Sequence, residues 1–285
     1  MLARSETTSE RKFAFTQRDF EAVRKILHAC TGISLDDDKN NLVYGRLARR
    51  LRAHGFYEFS SYLAFLSSSR GKRELTQFVN ALTTNLTAFF REPHHFDALA
   101  ESILPEIRQR HVADRRIRFW SAGCSTGEEP YSLAMVVRET LSSLNDWDVN
   151  ILATDLDSNV LAAAERGRYA KQRVAGLSQL RGKKWFHCDS GRFYDDVQID
   201  PSLHALVTFK QLNLMQQWPV RGPFDIIFCR NVVIYFDKPT QRKLFNRYAD
   251  TLVDGGYLFL GHSETLHKLC DRFELIGPTM YRKIR

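Results

Sequence analysis

Two hydrophobic rhythms divide this chain. Up to about residue 82, apolar side chains recur every three to four positions, the spacing of a buried helix face. Beyond residue 115 they gather in short, nearly continuous runs that alternate with helical stretches. In the first part, Thr16 to Thr31 reads as a helix with Phe20, Val23, Ile26 and Leu27 as its apolar stripe. Thr16 and Asp19 stand at capping-box spacing, with Asp in place of the usual Glu or Gln, and Gly32 is a natural stop. A second helix is expected from Asp36-Asp37-Asp38, acids suited to a positive helix N-terminus, to Gly55. Further helices follow around Ser60–Ser67 and Lys72–Leu82, and another runs from His94-His95 to Arg110.

From Arg116 the pattern predicts strands at Arg116–Trp120, Asp148–Asp155, Leu206–Phe209, Phe224–Cys229 and Tyr257–Gly261. Helices are expected at Tyr131–Leu144, Ser158–Arg166 and Pro239–Leu252, the last stopped by Asp254-Gly255-Gly256. Phe273–Ile276 and Met280–Ile284, on either side of Gly277-Pro278, read as a closing antiparallel pair. Residues from about 168 to 204 break this rhythm, with a helix at Leu177–Phe186 and short strands near Phe193-Tyr194 and Val197–Ile199. That stretch is too long for an ordinary crossover and reads as a small inserted β-subdomain. The division expected is therefore residues 1–15 without ordered structure, 16–82 as an all-α N-terminal domain, 83–96 as a linker, and 97–285 as a Rossmann-like α/β domain carrying the insert.

Composition narrows the class. A chain of 285 residues can bury a sizeable core, and no apolar run approaches the ~18–20 residues of a membrane span. The first twelve residues lack a signal-peptide core, and the five cysteines are scattered and never C-x-x-C. Reduced thiols in a cytoplasm are expected, with neither a zinc site nor a disulfide framework. The net charge of +8 suits an acidic partner, and it is concentrated early: the first 92 residues hold 15 Lys/Arg against 10 Asp/Glu. Around the second helix, Val43, Tyr44, Leu47, Ala48 and Leu51 fall on one side, while Lys39, Arg46, Arg49, Arg50 and Arg52 fall on the other. Five cations with no acid for i,i+4 pairing read as a docking surface for an acidic helix or for phosphates, the alternative being a solvated face.

The chemistry gathers at Ser121-Ala122-Gly123-Cys124-Ser125-Thr126-Gly127-Glu128-Glu129-Pro130. A strand, a glycine-containing turn and a helix bring backbone N–H groups close to a nucleotide-like ligand, and the glycines are expected to clear its approach. This turn departs from G-x-G-x-x-G and fits the E/D-x-G-x-G-x-G turn of methyltransferases better, with Ser121 and Ser125 replacing the acid and the middle glycine. Asp155, at the tip of the second strand, is placed to accept from ribose hydroxyls, with Asp157 close by. Arg230 and Asn231 follow a central strand, where open α/β sheets bind ligands. The junction Asn80–Phe96, with adjacent phenylalanines and Arg91, reads either as a pocket wall or as a packed connection. His94 and His95 have no third metal ligand at convincing spacing and read as exposed or capping residues.

Together, the runs Asn85-Leu86-Thr87-Ala88-Phe89-Phe90-Arg91-Glu92, Phe119 to Ser132, Phe228-Cys229-Arg230-Asn231-Val232-Val233-Ile234-Tyr235-Phe236 and Gly261-His262-Ser263-Glu264 resemble the CheR family of bacterial chemotaxis receptor methyltransferases. The resemblance spans about Phe20 to the C-terminus and implies a class I methyltransferase domain that takes S-adenosyl-L-methionine as donor and releases S-adenosyl-L-homocysteine. It implies glutamate side chains of chemoreceptors as acceptors. By the same analogy, cofactor contacts fall on Asn85, Thr87, Arg91, Glu129, Asp155, Asn213, Leu214, Arg230 and Asn231, with Arg91 and Tyr235 at the transfer site. Arg46, Arg49, Arg50 and Arg52 would then read the acidic cytoplasmic helices of receptors. Some family members hold a receptor C-terminal peptide on the β-subdomain through a glycine-rich loop, which here reads Cys188-Asp189-Ser190-Gly191, with few glycines. A cytoplasmic monomer is expected, without membrane insertion. A nucleic-acid methyltransferase, which should carry an N/D-P-P-Y/F loop where this chain has Arg230-Asn231-Val232-Val233, and a non-catalytic cofactor-sensing adaptor are the rival classes.

Overall fold

Thr16 opens the first helix by the reciprocal bonds its spacing predicts: its hydroxyl accepts from the Asp19 N–H while the Asp19 carboxylate accepts from the Thr16 N–H. In this computed structural model the described residues are 12–141, 146–188, 195–220 and 222–284. They form two compact units that divide between Thr83 and Thr84. The first unit holds α1 (Gln17–Thr31), α2 (Asn40–His54), α3 (Phe59–Leu66) and α4 (Lys72–Leu82). Its core is built from Phe20, Val23, Leu27, Val43, Leu47, Leu51, Phe59, Tyr62 and Phe78, the stripe positions of each helix. Order begins earlier than residue 16. Phe13 is buried, and the Phe15 ring lies 4.4 Å from Phe59, so two apolar side chains ahead of the cap find the core. Residues 1–11 lie outside the described residues.

The second unit is organised by a seven-stranded sheet in the order β6-β2-β1-β7-β8-β10-β9. These are β1 (Arg116–Ala122), β2 (Asp148–Asp155), β6 (Val207–Gln211), β7 (Phe224–Cys229), β8 (Leu252–Leu260), β9 (Phe273–Gly277) and β10 (Met280–Lys283). The first five run parallel and the last two close the sheet antiparallel. Because the chain winds from β1 to β2 and β6 on one side and then to β7 and β8 on the other, the crevice between β1 and β7 is the switch point where such sheets bind ligands. Between β2 and β6 lies the insert, whose strands β3 (Arg168–Ala170), β4 (Phe186–Cys188) and β5 (Asp196–Ile199) make their own antiparallel sheet in the order β3-β5-β4. β3 and β4 carry no periodicity long enough to predict. The strand expected at Phe193-Tyr194 and the Asp189-Ser190-Gly191 part of the loop lie outside the described residues.

Helices α5 (His94–Ala98), α6 (Leu104–Arg110), α7 (Glu128–Thr140), α8 (Ser158–Arg166), α9 (Lys171–Val174), α10 (Gln179–Trp185), α11 (Pro201–His204) and α12 (Lys238–Thr251) complete the unit. Among the boundaries that differ from expectation, three have a local cause. The stretch His94–Arg110 is split by a wide π-type turn at Leu99–Ile103, because Pro105 near the start of α6 cannot donate to the preceding turn. α7 starts at Glu128, so Pro130 sits in its first turn, where a missing N–H costs nothing. β8 runs through Asp254-Gly255-Gly256 rather than starting after it, absorbing the glycines as a register shift opposite Phe224–Ile226.

Candidate active site

The turn between β1 and α7 is pinned to β2. The N–H groups of Gly123 and Cys124 both donate to the Thr154 carbonyl, at 2.8 and 2.9 Å. Gly123 and Gly127 have φ of +93° and +96°, a region L side chains rarely adopt. The expectation that they clear space for a ligand is corrected. A Cβ on Gly123 would lie 2.3 Å from Val232 Cγ2, and one on Gly127 would lie 2.8 Å from the Tyr169 hydroxyl and 2.9 Å from Ala164 Cβ. The protein itself fills that space, so the glycines let the turn pack against the loop after β7, α8 and the insert.

Asp155, at the end of β2, accepts from the Ser125 N–H at 2.8 Å and from the Asp157 N–H at 2.9 Å. Burial pushes its carboxyl up to about 6, against the pull of these backbone donors. Asp157 accepts from Asn85 Nδ2 at 2.9 Å and caps α8 through the Asn159 N–H. The Ser125 hydroxyl donates to the Asn85 carbonyl at 2.9 Å, which ties the junction to the turn. Beyond β6, the Leu212 N–H donates to the Asp155 carbonyl. Asn213 and Leu214 follow, the Asn213 side chain accepting from the Met215 N–H and the Leu214 carbonyl from Trp218 Nε1 and Arg247.

On the other side of β1, Arg230 turns inward at the tip of β7, its side chain 2% exposed. The guanidinium stands 3.3 Å from Glu129 and 3.3 Å from Glu92, donates to the Arg91 carbonyl, and lies over the rings of Phe96 and Phe228. Glu129 also accepts from the Ser121 hydroxyl at 2.7 Å, and burial raises its carboxyl despite Arg230. Burial acts upward on Glu92 too, but the His262 hydrogen bonds and the Arg230 charge bring it down to about 2. His94 is exposed, while His95 is buried and makes no side-chain cap, so it fits neither the exposed nor the capping position expected. Its Nε2 sits 3.1 Å from the Pro278 carbonyl and 3.0 Å from Thr279 Oγ1, and burial with the nearby Arg230 charge pushes it down to about 4. No metal-holding cluster occurs among the described residues.

Glu264 holds the loop that follows Arg230. Its buried carboxylate accepts from the N–H groups of Asn231 (2.8 Å), Val232 (2.8 Å), Ile234 (3.2 Å) and Gly261 (2.6 Å). Asn231 takes a left-handed φ of 58°, and half-buried Tyr235 closes the short helical turn beyond it. Arg91 folds back to donate to the Leu86 carbonyl at 2.9 Å, and the Thr87 carbonyl receives Arg173. Asn85, Thr87 and Arg91 thus belong to the junction, Asp155 ends β2, Glu129 lies in the first turn of α7 after β1, and Asn213, Leu214, Arg230, Asn231 and Tyr235 follow the C-terminal ends of β6 and β7. Sequence reasoning gave no role to Glu92, Glu264, Tyr169 or Arg173. The only signal for Glu264 was its place in the Gly261–Glu264 run.

The arginines of α2 separate into two kinds within their own unit. Arg50 pairs with buried Glu74 of α4, which also accepts from the Tyr62 hydroxyl and lies 2.7 Å from His54 Nε2. Arg46 donates to the carbonyls of Leu82 and Thr83 at the end of α4. Of the five cations, Arg50 is therefore neutralised by an acid on the neighbouring helix, where α2 itself supplies none. Arg49 and Arg52 remain exposed.

Comparison with known proteins matches both units. The CheR methyltransferase all-alpha domain matches residues 18–83, and the CheR methyltransferase SAM binding domain matches residues 85–282. Chemotaxis protein methyltransferase 2 of Pseudomonas aeruginosa is 43% identical over 278 residues, 97% of either chain. A probable chemotaxis protein methyltransferase of Rhizobium etli is 42% identical over 90% of this chain and 96% of its own length. The chemotaxis protein methyltransferase of Escherichia coli is 41% identical over 95% and 92%. Two units that match in order and nearly end to end leave one assignment: the chain belongs to the CheR family, the S-adenosylmethionine-dependent methyltransferases of chemotaxis.

Proposed function

We propose that the acceptor is the side-chain carboxylate of chemoreceptor glutamates, converted to a methyl ester with release of S-adenosylhomocysteine. The observation that carries this reading is that each acid of the site is already engaged. Asp155, Asp157 and Glu264 accept backbone N–H groups, Glu128 and Glu129 face arginines, and Glu92 is shared by Arg230 and His262. A site whose acids are engaged in this way suits an acceptor that needs no deprotonation, and a glutamate carboxylate (pKa ~4.3) is ionised at neutral pH.

The residues fit the cofactor. α7 has Gly127 as its N-cap, with no side-chain cap for its first N–H groups, and the buried Nε of Arg230 has no hydrogen-bond partner among the described residues. Asp155 would hold the ribose, Glu129 the ribose or the amino group, and Arg230 with Arg91 the carboxylates of cofactor or acceptor. Asn85 and Thr87 would line the site from the junction, Asn213 and Leu214 from beyond β6, and Asn231 from beyond β7. When bound, S-adenosylmethionine supplies an activated sulfonium methyl. The protein contributes alignment, exclusion of water from the acceptor carboxylate, and orientation by Tyr235.

The receptor's Glu-rich helices would dock on Arg49 and Arg52 of α2, with Arg46 and Arg50 behind them fixing the helix against α4. Incubation with labelled S-adenosylmethionine and receptor-containing membranes tests the chemistry. Base-labile label released as methanol is expected, whereas alkali-stable label, or label on nucleic acid, overturns the proposal.

A further inference from the structure

The insert reaches into the turn. From β3, the Tyr169 hydroxyl donates to the Thr126 carbonyl at 2.8 Å and occupies the space beside Gly127. From α9, Arg173 forms an ion pair with Glu128, donates to Thr126 Oγ1 at 3.3 Å and reaches the Thr87 carbonyl at 3.4 Å. Glu128 is the first residue of α7 and is wholly buried, while Arg173 keeps 42% of its side chain in solvent. Among the described residues Arg173 is the one cation at ion-pair distance from Glu128. Phe89 of the junction packs edge-on against Tyr169 and against Phe186 of β4, at 5.0 and 5.3 Å.

We propose that Arg173 is a positioning residue for cofactor binding: it neutralises Glu128 and clamps the turn to the junction, making the inserted β-subdomain a structural part of the cofactor site. The physical reason is the cost of a buried carboxylate left without its cation. Unpaired, Glu128 would draw water or a proton into the start of α7 and release Thr126 and Thr87 together. Acting through Glu128, Thr126 and Thr87 rather than on the reacting atoms, Arg173 is expected to affect cofactor affinity and to leave the chemical step nearly untouched. The inference rests on the reading of the Ser121–Glu129 turn as the cofactor site.

The test uses the full chain with S-adenosylhomocysteine as the calorimetric probe and labelled S-adenosylmethionine for turnover. Arg173→Met is expected to raise the S-adenosylhomocysteine Kd and the S-adenosylmethionine KM about tenfold, with kcat within about twofold. Adding Glu128→Gln removes the stranded charge and should restore Kd to within about threefold of the parent, a rescue that general loosening of the insert does not give. His187→Gln, which replaces the ring whose Nε2 lies 2.7 Å from Asp200 inside the insert, should leave Kd unchanged. If Arg173→Met fails to fold, Arg173→Gln, which also removes the charge but stays polar, carries the same comparison. Parent affinity in a folded Arg173 variant, or a loss that Glu128→Gln does not repair, overturns the proposal. Parent affinity in Asp155→Asn would instead overturn the site reading beneath it.

Discussion

Asp155 works in two directions at once. Its carboxylate anchors the turn through the N–H groups of Ser125 and Asp157, and on the proposed reading the same atoms would accept from the ribose. With its carboxyl pushed up to about 6, it takes a proton as the medium is acidified, and a neutral acid is the weaker acceptor. S-adenosylhomocysteine affinity is therefore expected to fall about tenfold between pH 7 and pH 5. Calorimetry at stepped pH checks this, and Asp155→Asn should bind weakly throughout with a flat profile. Linkage runs the opposite way for folding. A raised carboxyl favours the protonated native state, so its contribution to stability is fully present below about pH 4 and is lost as pH rises through 6. Glu264 offers a second test at this scale. An amide presents one oxygen where the carboxylate uses two, so Glu264→Gln strands either Asn231 and Gly261 or Val232 and Ile234. Displacing the Tyr235 loop should lower kcat about 10- to 100-fold, measured at saturating S-adenosylmethionine with the thermal melt as a check on folding. A Tyr235→Phe enzyme that transfers methyl at the parent rate would remove the hydroxyl from the mechanism.

At the scale of elements, the turn is a close-packed joint. Gly123→Ala brings both the strain of a positive φ and a Cβ 2.3 Å from Val232, so a loss of about 2–4 kcal/mol is expected. Combining it with Val232→Ala removes the clash and leaves the strain, and denaturant unfolding should show a partial rescue. Helix caps were legible because Thr16, Asp19 and Gly32 act within one turn of backbone, and the first helix follows them closely. The glycines were legible as a turn but not in their purpose, because the residues that fill the space beside them, Val232, Tyr169 and Ala164, lie far along the chain. α2 teaches the same lesson. Its faces follow from 100° spacing, yet Arg50 and Arg46 are committed to α4, whose approach no periodicity in α2 encodes.

For the whole molecule, the proposed function has long-range charge select the partner while short-range pairing builds the site. Arg49 and Arg52 are the arginines of α2 left exposed, so reversing both to Glu is expected to reduce receptor methylation at least about tenfold at low salt while cofactor affinity stays unchanged. Raising ionic strength should weaken methylation by the parent and narrow the gap between the two, and equal rates across a salt series would refute the electrostatic reading. Among the described residues no helix is long and apolar enough to cross a membrane. The sequence by itself determined the helical module, the parallel strands with their closing pair, the presence of an insert, and the family. Those features rest on local periodicity, capping chemistry and contiguous motifs, which act between near neighbours in the chain. Only the tertiary structure decided that His95 is buried, that Glu264 gathers four N–H groups of two loops, and that Arg173 of the insert neutralises Glu128. Apart from the local bond between Gly261 and Glu264, these contacts join residues tens to more than a hundred positions apart, and the energy of such a contact exists only once the sheet has set its strand order.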